Sequence, residues 1–191
     1  MRWNYHSILI MVTGLLLFGS LAQAQNQSWN WNFKGGILFP GTVTIEGYGD
    51  GDTNMGWTFN TAFDGMVAEK ISMGGYFSYS GTTEAETGND YSANIMSIGG
   101  TIKGRFQLRG GTQLRPGVIF AYQLATSDYF EDDVNGLNLG FTFEVAVPLK
   151  NYNAFIGEIG FTSQPAGGNE SADVTWAPIF YLTVGYEIGG E

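Results

Sequence analysis

Residues 137–149 read LNLGFTFEVAVPL, and apolar side chains occupy every odd-numbered position of this segment. The even-numbered positions carry Asn, Gly, Thr, Glu, Ala and Pro instead. An alternation with a period of two predicts a β-strand that has one apolar face and one mixed face. Two arrangements are open, because the apolar face can point into the core of a soluble protein or out into lipid. In the first arrangement Glu144 lies in water, and in the second it lies inside the protein.

Comparable alternation recurs along the chain after residue 24, and nothing there has the 3.6-residue period of an amphipathic helix. We therefore expect an all-β protein with eight strands. The fourth strand is expected to extend back toward Tyr91 with a bulge at residues 95–97, and the apolar face of the last strand includes Val174 and Trp176. The predicted strands are residues 29–39, 57–67, 71–79, 98–108, 116–124, 137–149, 155–161 and 174–188.

The connections between these strands differ in length and in charge. Short and long connections alternate strictly, which predicts an up-and-down meander with all long loops at one end. The long loops hold twelve Asp and Glu residues and no Lys or Arg, whereas the short-turn end holds Lys70, Arg109, Arg115 and Lys150. A soluble barrel, which meets the same solvent at both ends, gives no reason for this polarity. The short connections are residues 69–70, 109–114 and 150–153, and the long ones are residues 41–54, 80–90, 126–135 and 163–173.

Six charged side chains fall on the mixed faces, three of each sign, and counting along the strands places them at one depth. Charges inside a narrow lumen must pair to offset the cost of leaving water, which predicts a balanced charge layer. The rest of the mixed face is mostly small, as the side-chain-filled lumen of an eight-stranded barrel requires. We therefore predict an eight-stranded antiparallel up-and-down transmembrane β-barrel whose apolar face meets lipid. The predicted lumen charge layer consists of Lys34, Asp64, Lys103, Arg105, Glu144 and Glu158.

The first residues have the features of an export signal. Arg2 precedes an apolar run, and Ala22-Gln23-Ala24 fits a cleavage site, so residues 1–24 are predicted to be a signal peptide and residues 25–191 the barrel domain. The apolar run is too short for a spanning helix. Loss of the one positive charge of Arg2 takes the formal net charge from −10 to −11, which disfavours nucleic acid as a partner. The chain has no Cys, so neither disulfides nor thiolate metal sites are expected.

Together, the export signal, the eight amphipathic strands, the short basic turns and the long acidic loops resemble the small outer-membrane β-barrels of Gram-negative bacteria, of the OmpA/OmpX/OmpW kind. The resemblance spans residues 25–191. It implies a porin-like barrel that lies in the cell outer membrane, contacts the lipid there and is inserted by the barrel insertion machinery. We expect a monomer. Many of these proteins end on a Phe or Trp that the machinery reads, whereas this chain ends TVGYEIGGE, so Tyr186 or Ile188 would have to serve.

No catalytic, cofactor-binding or metal site is predicted. The only His is His6, within the predicted signal peptide, so a nucleophilic triad or a zinc site lacks its residues. Glu144 and Glu158 could form a carboxylate dyad for glycoside hydrolysis, but ion pairing with Lys103 and Arg105 is the favoured interpretation. Residues 50–54 (DGDTN) resemble part of a calcium loop but are not followed by its Gly and Glu, so a solvated acidic loop is favoured over weak divalent-cation binding.

Three functions remain open at this point. The first is an outer-membrane barrel with a side-chain-plugged lumen, which acts structurally or binds a surface ligand through its four acidic loops. The second is a channel or transporter for small apolar solutes, against which the lumen charges argue. The third is a soluble periplasmic lipocalin-like binder, in which the apolar faces turn inward. The first two place the protein in a membrane, and the third does not.

Overall fold

The chain folds into a closed antiparallel β-barrel. The computed structural model describes residues 29–86, 89–127, 133–169 and 172–190, and the predicted signal peptide at residues 1–24 lies outside them. The strands are β1 (Trp29–Leu38), β2 (Thr42–Ile45), β3 (Gly49–Asp52), β4 (Gly56–Ala68), β5 (Ile71–Glu86), β6 (Asn89–Gly104), β7 (Phe106–Gln107), β8 (Gln113–Ser127), β9 (Val134–Pro148), β10 (Ala154–Gly168) and β11 (Val174–Gly190).

The barrel wall consists of β1, β4, β5, β6, β8, β9, β10 and β11, each paired with its neighbours along the chain. β1 pairs with β4 on one side and with β11 on the other, and this last pairing closes the barrel. The prediction of an eight-stranded antiparallel up-and-down barrel is confirmed. The only helical segment of the described residues is a single 3₁₀ turn at Arg109–Gly111, and no helix there is long and apolar enough to span a membrane.

The apolar face of the wall points outward. On β9, Leu137, Phe141 and Phe143 are exposed, whereas Glu144 is fully buried in the lumen. The other wall strands follow the same rule, so large apolar side chains such as Trp31 and Phe180 form an exposed band around the barrel. The alternation of residues 137–149 therefore places lipid-type surface outside and charge inside. This is the reverse of the arrangement that a soluble lipocalin-like binder requires.

The short connections lie at one end of the barrel, here called the turn end, and the long ones lie at the opposite loop end. Residues 69–70 and 149–153 are tight turns, as predicted. The predicted loops are largely extensions of the wall: β5 and β6 pair as far as Glu86 and Asn89. Within residues 41–54, β2 and β3 form a hairpin, and β2 pairs with the start of β11. The wall thus rises further at the loop end than the sequence pattern predicted.

The predicted bulge at residues 95–97 is wrong. The pairing of β5 with β6 runs without a shift from Ile71 opposite Gly104 to Glu86 opposite Asn89. Ile95 is buried in the lumen together with Ser97, on the same face of the strand. An apolar residue at position 95 suggests that the strand reverses which face points inward. In the structure Ile95 points inward without a bulge, because the interior there is lined by other apolar side chains.

Bulges occur instead where β10 and β11 contain proline. Opposite β10, Trp176 pairs with Gln164 and Ile179 pairs with Thr162, so β11 carries one extra residue beside Pro178. A similar shift on β10 accompanies Pro165. Proline has no N–H to donate to the ladder, and bulges are among the few places in a sheet that tolerate it. The extra residue turns Val174 and Trp176 into the lumen, which corrects their predicted place on the outer face.

The predicted fourth strand, residues 98–108, is interrupted at Arg105. β6 ends at Gly104 and β7 resumes at Phe106, although the register against β8 is kept. The interruption lies next to the position of Pro116, which would face Gly104 in this register and cannot supply a ladder hydrogen bond. The backbone N–H of Arg105 donates instead to the carbonyl oxygen of Lys70 at 2.8 Å.

Candidate functional site

The lumen holds a network of buried ion pairs centred on Glu144. Its Oε2 atom lies 3.2 Å from Lys34 Nζ and 3.4 Å from Lys103 Nζ, and its Oε1 atom lies 2.9 Å from Arg115 Nη1. Glu144 has no solvent-accessible surface, and the three cations are also buried. A carboxylate so far from water is stable as a charge only because cations surround it.

Two more acidic side chains, Glu158 and Asp64, extend this network around the barrel wall. Glu158 stands directly opposite Glu144 on the neighbouring strand, and Lys34 contacts both carboxylates and so offsets their repulsion. Asp64 lies 2.9 Å from Lys103 Nζ and also accepts a hydrogen bond of 2.7 Å from the Thr101 hydroxyl. Each of these carboxylates therefore faces at least one ammonium group.

Arg115 and Glu187 join the network although neither was predicted to belong to the charge layer. The Nη2 atom of Arg115 donates to Glu187 Oε1 at 2.8 Å, and its Nε atom donates to Gln113 at 2.9 Å. Glu187 also accepts a hydrogen bond from Asn30. The sequence held a signal for Glu187, since it lies between the outward-facing Tyr186 and Ile188. The sequence pattern places Arg115 at the turn end, outside its strand, because that strand is predicted to begin at Pro116.

Arg105 is the predicted member that the structure leaves out of the ion pairs. It faces the lumen beside the turn end and is half-buried, but no carboxylate of the described residues lies within salt-bridge distance of it. Its Nε and Nη2 atoms are buried and have no hydrogen-bond partner among those residues. The structure thus brings together Lys34, Asp64, Lys103, Glu144 and Glu158, adds Arg115 and Glu187, and places Arg105 at the edge.

Glycines on neighbouring strands make room for the two lysines. A Cβ atom on Gly185 would lie 2.0 Å from the Phe33 carbonyl oxygen and 2.7 Å from Lys34 Cγ. A Cβ atom on Gly117 would lie 2.8 Å from Lys103 Cγ. The lumen of an eight-stranded barrel is just wide enough for its side chains to fill. A long lysine side chain therefore lies against the neighbouring strand where that strand has a glycine.

Toward the loop end, the lumen is filled by neutral amides. Asn138 donates to Gln123 Oε1 at 2.7 Å and to the Ser97 hydroxyl at 3.0 Å, and Gln123 donates to Gln164 Oε1 at 2.8 Å. Gln164 donates in turn to the carbonyl oxygen of Val174 at 2.9 Å. The cavity beside these side chains has a volume of about 20 Å³, which has room for about one water molecule.

Beyond the amides, a cluster of buried apolar side chains lies at the loop end of the barrel. They come from the wall strands and from β2, which means that the hairpin of the first long loop covers part of the opening. This group, here called the apolar cap, also includes the side chains that the bulge in β11 turns inward. Its members are Leu38, Val43, Ile45, Ala93, Ile95, Ala125, Val134, Val174, Trp176, Ile179 and Tyr181.

The turn end is open by contrast. A cavity of about 340 Å³, here called the vestibule, leads from the turn end to the ion-pair network. Arg105, Arg115 and Glu187 line it, and Trp29 and Tyr152 lie among the residues at its edge. The vestibule is therefore the part of the interior that a small molecule can enter from the turn end.

The other predicted candidates take simpler positions. Glu144 and Glu158 are ion-paired as predicted, but their shared cation is Lys34. Of the two predicted partners, Lys103 contacts Glu144 and Arg105 forms no ion pair with the described residues. Asp50 and Asp52 lie exposed on β3, where they accept hydrogen bonds from Thr44 and Thr42. Within the part of the chain that the structure describes, no three His, Cys, Asp or Glu side chains are grouped so that they could hold a metal ion.

Comparison with known proteins identifies the fold. No protein-family model and no curated protein matches the chain. It is similar to Neisserial surface protein A (NspA), with 10% sequence identity and a TM-score of 0.57 over 84% of this chain and 96% of that one. It is also similar to the outer membrane protein OprG from Pseudomonas aeruginosa, with 11% identity and a TM-score of 0.56 over 86% and 97%.

The outer membrane protein AlkL, in lipid bilayers, gives 12% identity and a TM-score of 0.53 over 86% of this chain and 90% of that one. The chain therefore has the fold of the small outer-membrane β-barrels, and the exposed apolar band is the surface that such a barrel turns to lipid. Identities this low carry the fold and not the function.

Proposed function

We propose that the protein is inserted in the outer membrane as a closed barrel that does not conduct and that has a structural or surface-interaction role. In this proposal the loop end faces outward and the turn end lies in the periplasm. The support is the asymmetry of the connections, because outer-membrane barrels have short periplasmic turns and longer external loops. The outward apolar band supplies the contact with lipid.

The filling of the lumen is the observation that carries this proposal. A solute that entered at the turn end would meet the ion pairs of Glu144, then the amides around Asn138, and finally the apolar cap. Breaking one ion pair leaves its partner charged in a dry interior, which costs about 3 to 5 kcal/mol. The same obstacle argues against a channel or transporter for small apolar solutes through the lumen.

The loop end is the surface that a partner would meet. Glu46, Asp50, Asp52, Asp133 and Asp173 are exposed there, and the loop segments 41–54, 80–90, 126–135 and 163–173 contain no Lys or Arg to balance them. A surface of one sign attracts partners of the opposite sign and repels others. A surface ligand at the loops would therefore present positive charge.

Planar-bilayer conductance of the refolded barrel tests the closed lumen. We expect no steady current from the natural sequence, and an increase in Arg115→Ala, because this change removes a cation that holds Glu144 and Glu187 together. Lys70→Ala is the matched control, since Lys70 is an exposed cation at the same end. A large, steady current from the natural sequence would contradict the proposal and place the transporter ahead of it.

The orientation is tested separately by cysteine labelling of whole cells. The chain has no Cys, so a single introduced thiol gives a signal without background. We expect an impermeant maleimide to label Asp50→Cys at the loop end and not Lys70→Cys at the turn end. The reverse pattern would show that the loop end faces the periplasm.

A further inference from the structure

We propose that the vestibule at the turn end binds a small organic anion that carries a carboxylate or phosphate group, and that the guanidinium of Arg105 holds it. The vestibule has a volume of about 340 Å³, at the lower end of the range of small-molecule sites. The proposal is independent of the conductance of the lumen, because the vestibule opens at the turn end whether or not the loop end is closed.

The first argument is the hydrogen bonding of Arg105. A guanidinium has five N–H donors and no acceptor, and buried donors in proteins nearly always have partners. The Nε and Nη2 atoms of Arg105 have none among the described residues. Glu187 and Glu144 accept from Arg115, and no ion pair joins either of them to Arg105. Arg105 also lines the vestibule, so an oxyanion bound there would lie beside a guanidinium whose Nε and Nη2 atoms have no acceptor among the described residues.

The second argument is the position of Arg115, a second cation. Arg115 lies on β8, and the pairing of Lys103 with Gly117 and of Phe106 with Leu114 places Arg105 opposite it on the neighbouring strand. Like charges on facing positions of neighbouring strands repel each other. Arg115 is held by its own carboxylates, so the positive charge of Arg105 is the one that faces the cavity without an ion pair. An anion in the vestibule relieves this repulsion.

The third argument concerns the chemistry of the lining. Beside Arg105, the vestibule presents the amide side chains of Gln107, Gln113 and Asn153, with Trp29 at its edge. Amides can donate to the remaining oxygens of an anion, and the planar fork of an arginine matches a carboxylate or phosphate with two parallel hydrogen bonds. This combination suits a small polar anion better than an apolar solute.

The test is a titration followed by the ¹⁵N resonances of the arginine side chains in the refolded barrel in lipid nanodiscs. The full sequence contains only Arg2, Arg105, Arg109 and Arg115, so the spectrum is simple. Acetate and inorganic phosphate are added in separate arms at constant ionic strength, with chloride as the exchanged ion. We expect a saturable shift of the Arg105 Nε signal, and the arm with the tighter binding tells which oxyanion the site prefers.

Two variants and one control make the result specific. Arg105→Gln should weaken binding at least tenfold, measured from the shift of the Trp29 indole N–H, and Arg105→Lys should fall between, because lysine keeps the charge and loses the fork. Lys70→Gln removes a positive charge at the same end and should bind as the natural sequence does. A linear, unsaturable shift in both arms, or equal binding by Arg105→Gln, would overturn the proposal. The wild-type titration decides it even if a variant does not fold.

Discussion

The two halves of the lumen are filled by opposite kinds of chemistry. The half next to the turn end holds Lys34, Lys103 and Arg115 among four carboxylates, whereas the half next to the loop end holds neutral amides and the apolar cap. In the charged half each group depends on its neighbours, because removing one strands another. In the neutral half each hydrogen bond or packing contact contributes separately, and less, to the free energy of unfolding. The comparison therefore predicts that substitutions in the charged half cost more stability than substitutions in the neutral half.

Depth explains why the two fillings are placed as they are. Lys34, Asp64 and Glu144 lie on wall strands whose outer faces carry the apolar band, where no side chain can reach water sideways. The apolar cap lies beyond the amides, toward the end that carries the acidic loops. The charged half therefore depends on mutual pairing, and the neutral half only on packing and a few hydrogen bonds.

The largest effect is expected from Glu144→Gln at the centre of the ion pairs. The amide keeps the size of the side chain but leaves Lys34, Lys103 and Arg115 with one carboxylate fewer in a buried site. We expect a loss of about 3 to 5 kcal/mol in the free energy of unfolding. Reversible urea unfolding in lipid vesicles measures it. A loss below about 1 kcal/mol would mean that the charged half is hydrated and loosely held.

The next effect comes from the glycine over which Lys34 passes. Gly185→Ala would place a methyl group 2.0 Å from the Phe33 carbonyl oxygen, so backbone and lysine must both move. Overpacking of this kind costs about 1 to 3 kcal/mol. Gly157→Ala is the matched control, because nothing lies within 4 Å of the Cβ position there and its stability should not fall. Equal losses of stability in both variants, in the same unfolding experiment, would contradict the inference that Gly185 makes room for the Lys34 side chain.

A smaller effect is expected in the neutral half from Asn138→Ala. The change removes hydrogen bonds of 2.7 Å to Gln123 and 3.0 Å to Ser97, and both partners are uncharged. The expected loss is about 1 to 2 kcal/mol, since water can enter the small cavity that the variant enlarges. The comparison of Asn138→Ala with Glu144→Gln in one titration series is the direct test of the difference between the two halves.

Most of the barrel could be predicted from alternation alone. The parity of residues 137–149 fixed which side chains point inward, and the strict order of short and long connections gave the topology. Five predicted members of the charge layer form ion pairs with one another. They could be predicted because the sequence shows both the face and the depth of each residue along its strand. Glu187 was readable in the same way and was overlooked.

Two of the failures share a physical cause in proline. Pro178 shifts the parity of β11 and turns Trp176 inward, and Pro116 interrupts the strand pairing beside Arg105. A proline in a strand pattern signals an irregularity, but the pattern does not tell whether a bulge, a break or an edge results. Residues 80–86 and 89–90 have the Thr, Glu and Gly content of a turn, but they extend β5 and β6 because these neighbouring strands pair with each other there.

The smallest effect is expected at the exposed tip of the neutral half, from the double change Asp50→Asn and Asp52→Asn on β3. Both side chains are exposed, and asparagine keeps an oxygen that can accept from Thr44 and Thr42. Surface changes of this kind stay within about 0.5 kcal/mol. A ligand that binds only the folded state stabilises it by RT ln(1 + [L]/Kd), so millimolar calcium should leave both forms unchanged if the hairpin is a solvated acidic surface. Unfolding titrations with calcium and with a chelator measure this. A calcium-dependent gain that the double variant loses would show instead that these two carboxylates bind a divalent cation.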